Sequence, residues 1–296
     1  MSDPEMNTGT KKIWRDYDQA ALNVQYNSRG TVADFASYLQ RYAKLTRAAK
    51  ASLRCIQNLA YGDQEIERLD VYPAAKSDAP VLVFLHGGDW RSLSKEDSGF
   101  AAPAFVAAGA CFVAPDFTLL PDTRIEAMGA QLGRMLAWVW RNIANYGGDP
   151  SRIFIAGHSS GANLVGQLLM TDWAGFADMP ADIVKGAVFI SGLGDLEPVR
   201  LSFRNENLGL DRAAVIEASL LHRQPTVACP LLVAVGAGET DDYKRQSREV
   251  AAYWQAQGSR AEFFELASRH HFDSVLDWGD PQSVLFRATL AMMNLK

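Results

Sequence analysis

The sequence predicts an α/β fold built on a mostly parallel central sheet flanked by helices. Three observations predict it. Short apolar runs recur without polar alternation: "APVLVFLHGG" (79–88), "ACFVAPDF" (110–117), "RIFIAGHS" (152–159), "VKGAVFISG" (184–192) and "PLLVAVGAGE" (230–239). Strands buried on both faces of a parallel sheet read this way. Helical patterns stand between these runs, and strand–helix alternation is the signature of parallel crossover units. One of the runs also ends in a glycine-bracketed serine that leads straight into a helix-forming stretch.

Taken in chain order, residues 31–57 place Phe35, Leu39, Tyr42 and Leu45 at helical spacing, with Thr31 as the expected cap. Residues 1–60 are therefore read as an N-terminal helical segment. It must pack on the rest, because so short a piece has little core of its own. "IERLDVYPA" (66–74) alternates and stops at a proline, as a strand does. Residues 124–145 carry Leu132, Met135, Leu136 and Val139 on one helical side, and "YGGD" ends the run. Residues 162–173 and 242–257 are also helix-like, and "RAEFFELAS" (260–268) is a weaker strand pattern. Residues 195–228 break the rhythm and are expected to form a short helical cap insertion over one end of the sheet. All 296 residues are read as one domain.

Composition narrows the function classes. The net charge of −5 comes without a basic stripe, which argues against nucleic acid as a partner. No apolar run approaches the roughly 18 residues of a membrane span, so no membrane association is expected. The start "MSDPEMNTGTKKIWRDYD" is polar and unlike a signal peptide. The three cysteines, Cys55, Cys111 and Cys229, are far apart and form no CxxC pattern. That spacing fits neither a disulfide framework nor a zinc ribbon, and it suits a reducing, cytoplasmic setting. The expected partner is a small-molecule substrate; a homo-oligomer is compatible with the sequence.

The chemistry centres on Gly157-His158-Ser159-Ser160-Gly161, a match to G-x-S-x-G. A serine at a sharp strand-to-helix turn is held in a strained conformation, and side chains at the flanking glycines would collide with neighbouring backbone. The strain exposes the Ser159 hydroxyl at the carboxyl end of the sheet and brings the Ser160 N–H beside any attacked carbonyl. A serine hydroxyl is a weak nucleophile, so it needs a base and an acid that orients the base. Of the five histidines, His270 and His271 follow the last strand-like run, where such a base belongs. The acid belongs after 230–238, where Glu239, Asp241 and Asp242 stand. "FLHGGDW" ends an earlier strand. There the N–H groups of Gly88 and Asp89 can face that of Ser160 across the carbonyl, forming an oxyanion hole. Trp90, Phe117 and Trp173 are candidate walls of an apolar pocket, with Trp90 the substrate-binding candidate; such aromatics commonly belong to the core instead. Arg200, Arg204 and Asn205 could meet a polar substrate group, or form a solvated cap surface. A metal site is poorly motivated, since H-E-x-x-H is absent.

"HGGDW", "AGHSSGANL", "GAGETDDYKRQS" and "RHHF", with "QYNSR" and "YGDQEIERLDVY" near the N-terminus, resemble the kynurenine formamidase (arylformamidase) branch of the α/β-hydrolase superfamily and related bacterial esterases. The resemblance spans most of the chain. It implies the α/β-hydrolase fold, an acyl-serine mechanism and no metal or organic cofactor. It places the acid at Glu239, a few residues before the Tyr243–Ser247 stretch, and the base at His271, which directly precedes Phe272. It assigns the oxyanion hole to Gly88 and Asp89 with Ser160. Two departures stand out. Asp89 fills a position that is often aromatic or small, and its carboxylate can bear on substrate choice or turn to solvent. Glu239 replaces what is often an aspartate. The expected activity is hydrolysis of small carboxylic esters or N-acyl amides of the aryl formamide type, on a substrate that can be aromatic. Carbamate cleavage, acyl transfer by the same triad, and a non-catalytic binding protein on the same fold remain alternatives.

Overall fold

The computed structural model describes residues 11–176 and 179–296. The first ten residues of the expected N-terminal segment lie outside the described residues. Among the described residues eight strands form one sheet: β1 (Ile56–Ala60), β2 (Arg68–Tyr72), β3 (Ala79–Leu85), β4 (Cys111–Pro115), β5 (Gly148–His158), β6 (Val184–Ile190), β7 (Leu231–Gly236) and β8 (Ala261–Leu266). Their order across the sheet is β1-β2-β4-β3-β5-β6-β7-β8. Only β2 runs against the others, pairing antiparallel with β1 and β4; every pair from β4 to β8 is parallel. The five non-alternating runs are β3 to β7, as both-face burial requires. Along β3, Val81, Val83 and Leu85 enter the core on one face while Leu82 and Phe84 enter the core on the other. The weaker run at 260–268 is the edge strand β8, which is only partly covered.

Among the described residues eleven α-helices complete the fold: α1 (Gln19–Gln25), α2 (Phe35–Ser52), α3 (Ala102–Ala107), α4 (Ile125–Asn142), α5 (Ser160–Leu169), α6 (Glu197–Leu201), α7 (Asn205–Leu208), α8 (Arg212–Ala218), α9 (Asp241–Ala256), α10 (Ser274–Trp278) and α11 (Val284–Met292). The expected helix at 124–145 is α4, and Gly147 takes the left-handed conformation that closes the turn after it. The irregular stretch 195–228 holds α6, α7 and α8, all short. Among the described residues no helix is long and apolar enough to cross a membrane.

Two details differ from expectation. Thr31 lies in a 3-10 turn and does not cap α2; Asp34 does, its carboxylate accepting the Ser37 N–H. The helix expected to run to residue 57 ends at Ser52, because Leu53 is extended and residues 56–60 add strand β1 to the sheet edge. The gain is long-range: β1 backbone groups bond to β2, which periodicity within 31–57 does not reveal.

The junction between β5 and α5 is the tightest point of the chain. A Cβ on Gly157 would lie 2.3 Å from the Gly161 carbonyl oxygen, and a Cβ on Gly161 would lie 2.1 Å from the Leu85 oxygen at the end of β3. Both obstacles are backbone, so neither can swing aside. Gly161→Ala is therefore expected to destabilise the fold by about 3 kcal/mol, the upper range for overpacking. Denaturant unfolding measures this; wild-type stability in the variant would contradict it.

Candidate active site

Ser159 sits at the junction with φ 55° and ψ −121°, and its N–H donates to the Ile190 carbonyl at 2.9 Å. Few non-glycine residues hold this conformation, and they do so only where surroundings over-determine it. The Ser159 Oγ lies 2.9 Å from His271 Nε2. His271 Nδ1 lies 2.7 Å from Glu239 Oε2. Folding thus brings the three residues into one hydrogen-bonded line from positions 112 and 32 residues apart. All three are buried, so neither bond competes with bulk water.

Each member is held in turn. Glu239 Oε1 accepts the Ser191 hydroxyl at 2.6 Å and the Gly236 N–H at 2.8 Å, which leaves Oε2 for the imidazole. The loop bearing His271 is held from behind: His158 Nε2–H donates to the His271 carbonyl at 2.7 Å, and the Tyr42 hydroxyl of α2 donates to the Phe272 carbonyl. The loop bearing Glu239 is tied to α1, where the Thr240 hydroxyl donates to the Gln25 carbonyl at 2.8 Å and Asp242 accepts from the Tyr26 hydroxyl. The N-terminal segment therefore holds both the loop bearing Glu239 and the loop bearing His271.

The other acidic candidates are occupied elsewhere. Asp242 is buried between Tyr26 and a two-pronged ion pair with Arg245, while Asp241 is exposed and pairs with Lys244. The His270 ring makes an edge-to-face contact with Tyr38, and the His270 backbone N–H donates to the Asp273 carboxylate.

The loop after β3 follows the same logic of crowded backbone. Gly88 has φ 103°, and a Cβ there would meet the Ser92 oxygen at 2.1 Å. Asp89 and Trp90 are also left-handed. The Trp90 N–H donates to the Ser160 hydroxyl at 3.2 Å, which ties this loop to the start of α5. Among the described residues no protein acceptor meets the N–H of Gly88 or Asp89, and Ser160 opens α5, where N–H groups have no intrahelical partner. The positive end of the α5 dipole adds to the pull on negative charge there.

Gly88, Asp89, Ser159 and His271 line one open cleft of about 180 Å³, whose wall also includes Tyr26, Phe35, Tyr42 and Phe272, together with Phe203, Arg204 and Asn207 from the 195–228 stretch expected to form the cap. Trp90 is not on this wall. It is 1% exposed in the main core, beneath the Arg204 guanidinium at 5.7 Å. Phe117 and Trp173 are core residues as well. Of the cap candidates, Arg200 pairs with Glu197 and the Asn205 side chain bridges to Leu210. Arg204 alone of the three reaches the cleft. Its guanidinium bonds Asp89 and, at 3.0 Å, the Tyr243 hydroxyl. The Asp89 carboxylate is thus neutralised by the cap rather than turned to solvent. The sequence reading missed Ser191, His158, Tyr26, Tyr42 and the Asp89–Arg204 pair; only His158 carried a signal, as the variable residue of GHSSG.

Residues 82–273 match the family described by the alpha/beta hydrolase fold. The chain belongs to the alpha/beta hydrolase fold family. It is 28% identical to the kynurenine formamidase of Danio rerio over 293 residues, 95% of this chain and 98% of that one. Among solved structures, it is similar to one from Silicibacter sp. tm1040, provisionally labelled a thioesterase. That match has 25% identity and a TM-score of 0.81, and covers 92% of this chain and 98% of the other. Esterase LipW from Mycobacterium marinum shares the fold at 19% identity, TM-score 0.69, covering 92% and 90% of the two chains. Family and relatives together make this chain a hydrolase.

Two measurements follow from the geometry. Burial pushes His86 down to about 4, and burial with the neighbouring His271 pushes His158 down to about 3. Both rings are neutral in the fold, but in the unfolded chain they take up protons near pH 6.5. Below that pH the unfolded state gains protons that the native state refuses, so stability falls. Unfolding free energy is expected to drop by about 2–4 kcal/mol between pH 7.5 and pH 5; constant or rising stability would contradict it. A double-mutant cycle on Asp89→Asn and Arg204→Gln, read by denaturant unfolding, is expected to give a coupling of about 1–3 kcal/mol, as for a pair that is mostly desolvated. Additive effects would mean that the pair does not tie the cap to the loop.

Proposed function

We propose that the protein is a serine hydrolase that cleaves small carboxylic esters and aryl formamides through an acyl-serine intermediate. One observation carries the reading: the line Ser159 Oγ, His271 Nε2, His271 Nδ1, Glu239 Oε2, with spacings of 2.9 and 2.7 Å, meets an open cleft at Ser159 and His271. His271 takes the hydroxyl proton as Ser159 Oγ attacks the substrate carbonyl carbon. Glu239 fixes the Nδ1–H tautomer and stabilises the imidazolium that forms. The N–H groups of Gly88, Asp89 and Ser160 receive the oxyanion, and each such donor is typically worth about 3 kcal/mol of barrier. His271 then returns its proton to the leaving alcohol or amine. Water, deprotonated by the same ring, attacks the acyl-serine and releases the acid, and the proton goes back to Ser159.

His158 touches the His271 loop while staying neutral, so the ring that must become cationic has no charged neighbour from that side. Formamide cleavage is supported by the likeness to the Danio rerio kynurenine formamidase along nearly the whole chain. A small acyl group suits a cleft of this size. The cytoplasm suits its thiols: Cys111 and Cys229 are free and buried, pushed up to about 12 by burial.

The test is a comparison of N-formylkynurenine with p-nitrophenyl acetate. Both are expected to turn over, and Ser159→Ala is expected to abolish both while the fold persists by circular dichroism. Turnover of the ester alone would remove formamides from the reading. Glu239→Gln is expected to lower kcat by about 100-fold or more, while Asp241→Asn, which changes an exposed surface carboxylate, leaves it near wild type. The reverse ranking would move the acid.

A further inference from the structure

The cleft that holds Ser159 carries a charge unlike that of the chain. The chain has a net charge of −5. The cleft is lined by three arginines, Arg29, Arg91 and Arg204, against one carboxylate, Asp89. Asp89 and Arg204 neutralise each other. That leaves Arg29 and Arg91, neither with a carboxylate partner among the described residues. Arg29 is carried by the turn between α1 and α2, and its guanidinium lies over the Phe35 ring at 5.3 Å. Phe35 is itself part of the cleft wall, so this stacking holds the cation beside the opening. Arg91 is carried by the loop after β3. Its backbone N–H donates to the Gly88 carbonyl at 3.1 Å, and Arg91 lies two and three residues beyond Asp89 and Gly88, two of the proposed oxyanion donors. The two cations thus reach the cleft from independent elements, one helical and one at the sheet end.

We propose that Arg29 and Arg91 form an anion-selecting rim, which makes the enzyme prefer substrates bearing a carboxylate several bonds from the scissile carbonyl. The proposal deepens the serine-hydrolase reading and rests on it. The aromatic wall of Phe35, Tyr42 and Phe272 receives the apolar body of such a substrate while the guanidinium groups receive its charged end. Guanidinium suits a carboxylate because its planar fork matches the two oxygens. Both arginines are exposed, so each contributes modestly and the effect is screened by salt. Asp89 does not oppose the selection, because its charge is already spent on Arg204.

The test uses two matched pairs: 4-acetoxybenzoate against 4-acetoxybenzamide, and 3-(4-acetoxyphenyl)propanoate against its amide. Each pair differs in charge and little in shape. Any electronic difference between partners is the same in every enzyme variant and cancels when their ratios are compared. At low salt the wild-type kcat/KM is expected to favour the carboxylate in at least one pair by about tenfold, mainly through KM. Arg29→Gln and Arg91→Gln are each expected to lower that ratio about threefold, the double variant to bring it near parity, and 0.5 M NaCl to erode it in the wild type. Parity in the wild type for both pairs overturns the proposal. So does a ratio that survives in the double variant, or variants that slow both partners equally. The reading beneath it is checked separately by Ser159→Ala, which abolishes turnover of all four esters; turnover that persists there sinks the serine mechanism whatever the ratios show.

Discussion

The site depends on a single strained residue. Ser159 holds a left-handed backbone between β5 and α5, and it holds it because Gly157 and Gly161 let two backbone segments approach closer than any Cβ allows. The sheet secures the arrangement: the Ser159 N–H bonds to the end of β6, and the Gly161 position abuts the end of β3. Three adjacent strands thus converge on one turn. The candidate site residues lie at the carboxyl ends of the parallel strands, with Glu239 after β7 and His271 after β8, where loops free of sheet pairing can carry functional groups on a rigid base.

Around that turn the chain spends its buried polar groups on orientation. Glu239 accepts from a side chain, a backbone amide and an imidazole, so its carboxylate has one orientation. The His271 loop is fixed through its carbonyls by His158 and Tyr42. The cap reaches across the cleft through Arg204 to Asp89 on one side and Tyr243 on the other, and the Tyr243 ring stands edge-on to His271 at 4.9 Å. A disturbance of the cap is therefore felt at both the loop after β3 and the base. The N-terminal segment, which contributes no residue to the proposed triad, supports its loops through Tyr26 and Tyr42.

Much of this was legible in the sequence. The buried strands announce themselves by uninterrupted apolar runs, α4 by its period, and the elbow by its glycines, because each is a local consequence of burial or crowding. Ser159 can be read from its motif, and the preceding strands locate the acid among Glu239, Asp241 and Asp242 and the base at His270 or His271; the choice of Glu239 and His271 comes from the family resemblance. What was not legible depends on partners far along the chain. Asp89 meets Arg204 across 115 residues, Tyr26 meets Asp242 across 216 and Tyr42 meets Phe272 across 230. None of these pairings leaves a period or a spacing. Trp90 misleads for a related reason: a tryptophan beside a functional loop reads as a wall of the pocket, yet its bulk fills the core underneath. Strand β1 was hidden in a helical pattern because edge pairing, not local propensity, decides the backbone there.

The central claim is that the elbow, the imidazole and the carboxylate act together to make one hydroxyl nucleophilic. Intact-protein mass spectrometry after treatment with a fluorophosphonate tests it most directly. The expected result is one adduct per chain, mapped by peptide analysis to Ser159 and formed far more slowly when His271 is replaced by alanine. A protein that stays unlabelled, or that carries the adduct on another residue, would contradict the account.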